Sequence, residues 1–149
     1  MAIETLYIKD IIGWIRRDYA IPDMQREFVW NNTQVRDFMC SLYKNHPVGM
    51  LLVWAVSPED NIPIKHIDDS VHNLTDFRYL VIDGQQRLTS LLLIKEGCLF
   101  KRDKKREIKL LFNVLTEEFQ IESPKNKNKP EWFNVVEVIN CGSEARLIR

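Results

Sequence analysis

The spacing of apolar positions along the chain alternates between two periods. Over residues 6–19, Ile8, Ile11, Ile12, Ile15 and Tyr19 recur at intervals of three and four, which predicts one buried face of a helix with Arg16, Arg17 and Asp18 solvated at its end. Residues 31–45 predict a second helix. Val35, Phe38, Met39 and Leu42 form its apolar face, Asn31 and Gln34 have the spacing of a capping box, and Trp30 with Val35 has that of a hydrophobic staple. His46-Pro47-Val48-Gly49 ends it. The nearly continuous apolar run at residues 50–56 predicts a strand covered on both faces, and residues 77–82 predict a second buried strand. Leu88, Leu91, Leu92 and the stem of Lys95 continue as a helix face that stops at Gly97. Ile108, Leu110, Phe112 and Val114 alternate as a strand, with a short partner at Phe119 and Ile121. Asn134 and Glu137 cap a short helix carrying Val135, Val136, Val138 and Ile139.

Between these elements lie polar stretches. Residues 57–76 read as a long connection, residues 101–107 as a basic hairpin or loop, and residues 123–130 as a flexible basic loop. The first connection holds His66, Asp68, Asp69 and His72. No second ligand cluster accompanies them, so they read as a mixed surface loop rather than a metal or nuclease site. Residues 21–30 read as an edge strand or extended loop, because Pro22 biases Ile21 to an extended conformation and lacks a donor. Gln25 and Arg26 sit in its middle. On a strand they would face opposite ways, so a shared target requires a bend.

The chemistry concentrates at Tyr79-Leu80-Val81-Ile82-Asp83-Gly84-Gln85-Gln86-Arg87-Leu88, a strand that runs through a polar turn into a helix. A helix N-terminus carries unpaired N–H groups and partial positive charge, which suits an anion. A purely structural alternative stands beside this. Asp83 as N-cap with Gln86 three residues later makes a capping box. That alternative leaves Gly84 and Arg87 unexplained, since glycine disfavours a first helical turn.

Bulk properties narrow the classes. At 149 residues, 45% apolar and 28% charged, the chain has globular composition. Its formal net charge is zero, so nucleic-acid binding would need a local patch rather than a global field. Cys40, Cys98 and Cys141 are far apart, odd in number and without metal-ligand spacing, and read as reduced thiols of a cytoplasmic protein. No signal-peptide pattern opens the chain and no apolar run approaches membrane-spanning length.

Several of these stretches recur together in one family. Ile21-Pro22-x-x-Gln25-Arg26-x-x-Val29-Trp30, Pro47-Val48-Gly49 before an apolar strand, Ile82-Asp83-Gly84-Gln85-Gln86-Arg87-Leu88, and Phe112-Asn113 followed by Glu118-Phe119 stand in a specific order. This set, spread over nearly all of residues 5–140, resembles the N-terminal domain of GmrSD-type modification-dependent restriction proteins and of phosphorothioation-sensing SspE-type proteins. Met24 departs from the aromatic residue common before Gln-Arg in that family. The resemblance implies an α+β fold of ParB/sulfiredoxin type, a small mixed sheet packed with helices, formed by residues 1–149 as the N-terminal part of a longer protein. It implies binding and hydrolysis of a nucleoside triphosphate with Mg²⁺. Carried over to this chain, Asp83, Gln86 and Arg87 would be catalytic, Gln25, Arg26, Gly84 and Gln85 would bind the nucleotide, and Asp83 would hold the metal. It also implies DNA as a partner and a His-metal-finger nuclease domain in cis or in trans. All three histidines fall between positions 46 and 72, so no nuclease activity is expected from these residues. The remaining alternatives are a DNA- or modification-sensing module without turnover, and a nucleotide-gated clamp.

Overall fold

The computed structural model describes residues 7–57, 60, 62–68, 77–101 and 104–141. Asp69 and His72 of the mixed loop lie outside them. The first helix, α1 (Ile8–Asp18), ends one residue before its predicted face does. Tyr19 instead opens strand β1 (Tyr19–Pro22), all four residues of which are buried. The long extended segment expected from Ile21 onward is thus a short strand that begins earlier. A turn then closes with Gln25 N donating to Pro22 O at 3.0 Å.

Helix α2 (Asn32–Tyr43) starts as expected, with both bonds of the Asn31–Gln34 capping box in place. Trp30, ahead of the cap, packs edge-on against Phe38 with ring centroids 5.6 Å apart. Strands β2 (Leu52–Ala55), β3 (Ile64–Lys65) and β4 (Tyr79–Asp83) complete a mixed sheet ordered β2-β4-β1-β3. β4 runs parallel to β1 and antiparallel to β2, whereas β3 pairs antiparallel with β1. Strand β2 overturns its expectation. It is an edge strand, paired with β4 and exposed along its whole length, so neither face is covered among the described residues. Its apolar composition resembles that of the central strand β4, in which Leu80 and Val81 are buried.

Helix α3 (Gln85–Glu96) is the centre of the molecule. Nine of its residues are buried, and it packs against α1 and against α4 (Val135–Asn140). A helix buried almost all round must be apolar beyond one stripe. Leu88, Leu91, Leu92, Leu93 and Ile94 meet that requirement, each contributing about 1.5–3 kcal/mol by burial. Gly97 ends the helix in the left-handed region, as predicted. Beyond it, β5 (Cys98–Lys101) and β6 (Lys104–Glu107) form the basic hairpin. Strands β7 (Leu110–Asn113), β8 (Glu118–Ile121) and β9 (Trp132–Asn134) form a three-stranded sheet ordered β8-β7-β9. The loop read as flexible is a hydrogen-bonded turn. Asn126 is buried, accepts from Ser123 N at 2.7 Å and donates to Ile121 O at 3.0 Å. The architecture is α+β. Among the described residues no helix is long and apolar enough to cross a membrane. Cys40 and Cys98 are half-buried, Cys141 is exposed, and all three are free thiols.

Candidate functional site

The strand–helix junction turns on Gly84. Its φ of +97° lies in the left-handed region, and a Cβ there would collide with Leu51 Cδ2. Both observations explain the glycine by backbone geometry and packing alone. The left-handed turn also removes the capping box. Gly84 itself is the N-cap, no side chain caps the helix, and α3 begins at Gln85. The carboxylate of Asp83 is directed to Arg87 Nη2, 2.8 Å away, instead of to the helix N–H groups. Those groups, which have no intrahelical partner, remain without a side-chain cap.

Three glutamines lash the segment that follows β1 onto this junction. Gln25 Nε2 donates to Val81 O and Ile82 O at 2.7 and 3.0 Å, tying the turn to β4. Gln85 Nε2 donates to Arg26 O at 2.9 Å. Gln86 uses both ends of its amide: Nε2 donates to Glu27 O at 3.0 Å, and Oε1 accepts from Val29 N and Trp30 N at 2.9 and 3.3 Å. Lys65 Nζ donates to the carbonyls of Asp23 and Gln25 from the other side. Backbone that has no sheet partner beyond β1 thus has several of its polar groups met by side chains.

Arg87 holds a second piece of backbone. Nη1 donates to Val48 O at 2.8 Å and Nη2 to Met50 O at 2.5 Å, in addition to its pair with Asp83. Gly49 makes this possible. Its φ is +89°, and a Cβ there would meet the guanidinium. The Arg87 side chain is 18% exposed, that of Asp83 73%. Arg26 behaves differently: it is exposed, and its guanidinium has no hydrogen-bond or ion-pair partner among the described residues.

All seven residues singled out in the sequence line one cleft of about 490 Å³, a volume suited to a small-molecule ligand. Trp30, Val48 and Ile82 complete its walls. Sequence reasoning placed Trp30 as a staple and in a motif and Val48 in a motif, without assigning either to the cleft, and missed Lys65 altogether. The bend at Gln25 is what lets adjacent Gln25 and Arg26 reach one cleft. Two arginines and one carboxylate leave it net positive, and the α3 N-terminus adds to that. Asp83 is the only acidic residue of the lining, and no group of three or more metal-ligating side chains occurs among the described residues. One carboxylate is nonetheless enough for Mg²⁺ when phosphate oxygens and waters supply the other ligands. His66 and Asp68 lie elsewhere. Asp68 is buried and accepts from Arg16 Nη2 at 2.6 Å.

Fold and cleft together define a small α+β domain with a cationic, amide-lined pocket where a central strand enters a buried helix. The profile of the GmrSD restriction endonuclease N-terminal domain matches residues 3–146, and the chain belongs to that family. An uncharacterised protein of Methanocaldococcus jannaschii is 36% identical to it over 93 residues, which cover 56% of this chain. The same match spans 16% of that relative's own length.

Proposed function

We propose that the cleft binds the phosphates of a nucleoside triphosphate and hydrolyses it, within a longer DNA restriction protein of the cytoplasm whose nuclease domain is supplied in cis or in trans. The single observation that carries this reading is the convergence on one cleft of Arg26, which has no partner among the described residues, the uncapped N-terminus of α3 and the Asp83 carboxylate. The mixed sheet with a central helix is consistent with a ParB/sulfiredoxin-like fold. In the proposed reaction a water oxygen attacks the γ-phosphorus, the bond from it to the β–γ bridging oxygen breaks, the nucleoside diphosphate and inorganic phosphate leave, and the proton of the attacking water passes to a phosphate oxygen and on to solvent. Arg26 neutralises charge on the phosphoryl oxygens, and the N–H groups of the first turn of α3 cradle them. Mg²⁺ held by Asp83 and the phosphates would offset further negative charge. Gln86 and Arg87 act here as positioning residues, because their polar atoms already hold the two chain segments that wall the cleft.

Phosphate release from each triphosphate, with Mg²⁺ and with or without DNA, tests the reading. Release should vanish with chelator and fall about 100-fold in Arg26→Ala and Asp83→Ala. Both variants turning over at the wild-type rate would refute it. The full engagement of Gln86 and Arg87 leaves few groups for chemistry and favours, as second reading, a nucleotide-gated clamp; saturable nucleotide binding without turnover would select it. DNA binding with steep salt dependence and no nucleotide effect would select a sensor.

A further inference from the structure

A second pocket lies on the far side of the lashed segment, one turn along α3 from the cleft. Its volume is about 370 Å³, and its walls include Phe28, Leu99 and Thr89. Lys104 and Arg106 of the β5–β6 hairpin also line it, and neither has a carboxylate partner within it. Lys104 does not pair with any described residue, while Arg106 Nη2 donates to Trp30 O and its Cζ stands 4.4 Å from the centroid of the Phe28 ring. Burial pulls the Arg106 guanidinium below the ordinary arginine range. Glu27, the acidic residue of the lining, is drawn toward Lys65 at 3.7 Å. Thr89 is 2% exposed, and its buried hydroxyl has no hydrogen-bond partner among the described residues. A buried unmet hydroxyl is costly unless something completes it.

An apolar recess with an arginine plane on an aromatic ring and cations at its mouth matches a flat ring that carries an anionic group. We infer that this pocket receives one nucleotide unit, its base against the Arg106 plane and Leu99, its phosphate on Lys104 and Arg106. Arginine planes and aromatic rings are the usual stacking surfaces for unpaired bases, and apolar walls exclude water from them. The zero net charge of the chain makes such a local patch the means by which nucleic acid would be held. The inference does not depend on triphosphate hydrolysis in the cleft.

The test uses the full chain and three probes: adenosine monophosphate, a single-stranded oligonucleotide of roughly ten residues, and the same strand with abasic central positions. Binding is followed by titration calorimetry for wild type, Lys104→Glu, Phe28→Leu and Arg26→Ala. Lys104→Glu is on an exposed strand position and leaves the core intact. Lys104→Glu and Phe28→Leu should each weaken base-bearing probes about tenfold, Arg26→Ala should not, and the abasic strand should bind wild type about tenfold more weakly than its parent. Binding of the monophosphate identifies a free nucleotide as the source; binding of the strand alone identifies an unpaired base in DNA. The inference is overturned if the abasic strand binds as tightly as its parent, if Phe28→Leu has no effect, or if no probe binds. Arg26→Ala alone abolishing binding would also overturn it, by placing the ligand in the cleft.

Discussion

The two walls of the cleft are built on opposite plans. One wall, Asp83 to Arg87, belongs to the core: it joins a central strand to a buried helix, and its geometry is fixed by Gly84 and the packing of α3. The other, Gln25 to Trp30, has no strand or helix of its own and keeps its shape through side-chain amides that cross between the walls, those of Gln85 and Gln86 from the first and that of Gln25 from the second. The wall with regular structure supplies most of the bonds; the wall without it presents Arg26, a cation with no partner among the described residues. Motif residues that look like ligands on paper therefore divide into those that build the cleft and those left available to an occupant.

The sharpest way to break the first wall is Gly84→Val. A β-branched residue at φ +97° costs about 1–2 kcal/mol, and the clash with Leu51 adds about 1–3 kcal/mol. Urea denaturation should show a loss of about 2–5 kcal/mol, and a wild-type midpoint would mean that the turn relaxes freely. Arg87→Ala comes next. The carbonyls of Val48 and Met50 lose a charged donor, which costs about 2–4 kcal/mol, while the largely exposed pair with Asp83 contributes about 0–1 kcal/mol. Amide exchange around residues 48–51 should accelerate with it. If Asp83→Ala destabilises as much as Arg87→Ala, the ion pair matters more than the carbonyl contacts.

Gln86→Leu sharpens the contrast between the walls. It keeps the volume and removes three hydrogen bonds at once, leaving Val29 N, Trp30 N and Glu27 O unmet. We expect about 1–3 kcal/mol of destabilisation, with faster exchange confined to residues 27–30 and the α3 amides unchanged. Equal acceleration in α3 would show that the two walls unfold as one unit.

What the sequence disclosed follows the range of the interactions involved. The Asn31–Gln34 box, the Asn134 cap and the Gly97 terminus each depend on residues two to four apart, and all three were readable. The fates of the two apolar runs were not. β2 and β4 have similar composition, but which one lies centrally is decided by pairing with β1, far away in the chain. Asp83 and Gln86 have the spacing of a capping box, yet a left-handed Gly84 and a partner 57 positions away redirect both side chains. The residues that share the cleft stood out in the sequence. Their division of labour did not, because it rests on which carbonyls lie within reach.

Arg26→Ala is the smallest perturbation of the fold and the most discriminating for function. Its guanidinium is solvent-facing and unpartnered among the described residues, so its removal should change stability by less than about 0.5 kcal/mol. Its backbone carbonyl still accepts from Gln85, so the segment should stay in place. Affinity for a triphosphate should nevertheless fall about tenfold or more, since a guanidinium–phosphate contact is charge-assisted and partly shielded in the cleft. Measured together by calorimetry and urea denaturation, the two quantities separate the walls. A variant that loses stability but not affinity would assign Arg26 to construction, alongside Gln85, Gln86 and Arg87, and would leave the cleft with no cation free to meet a phosphate.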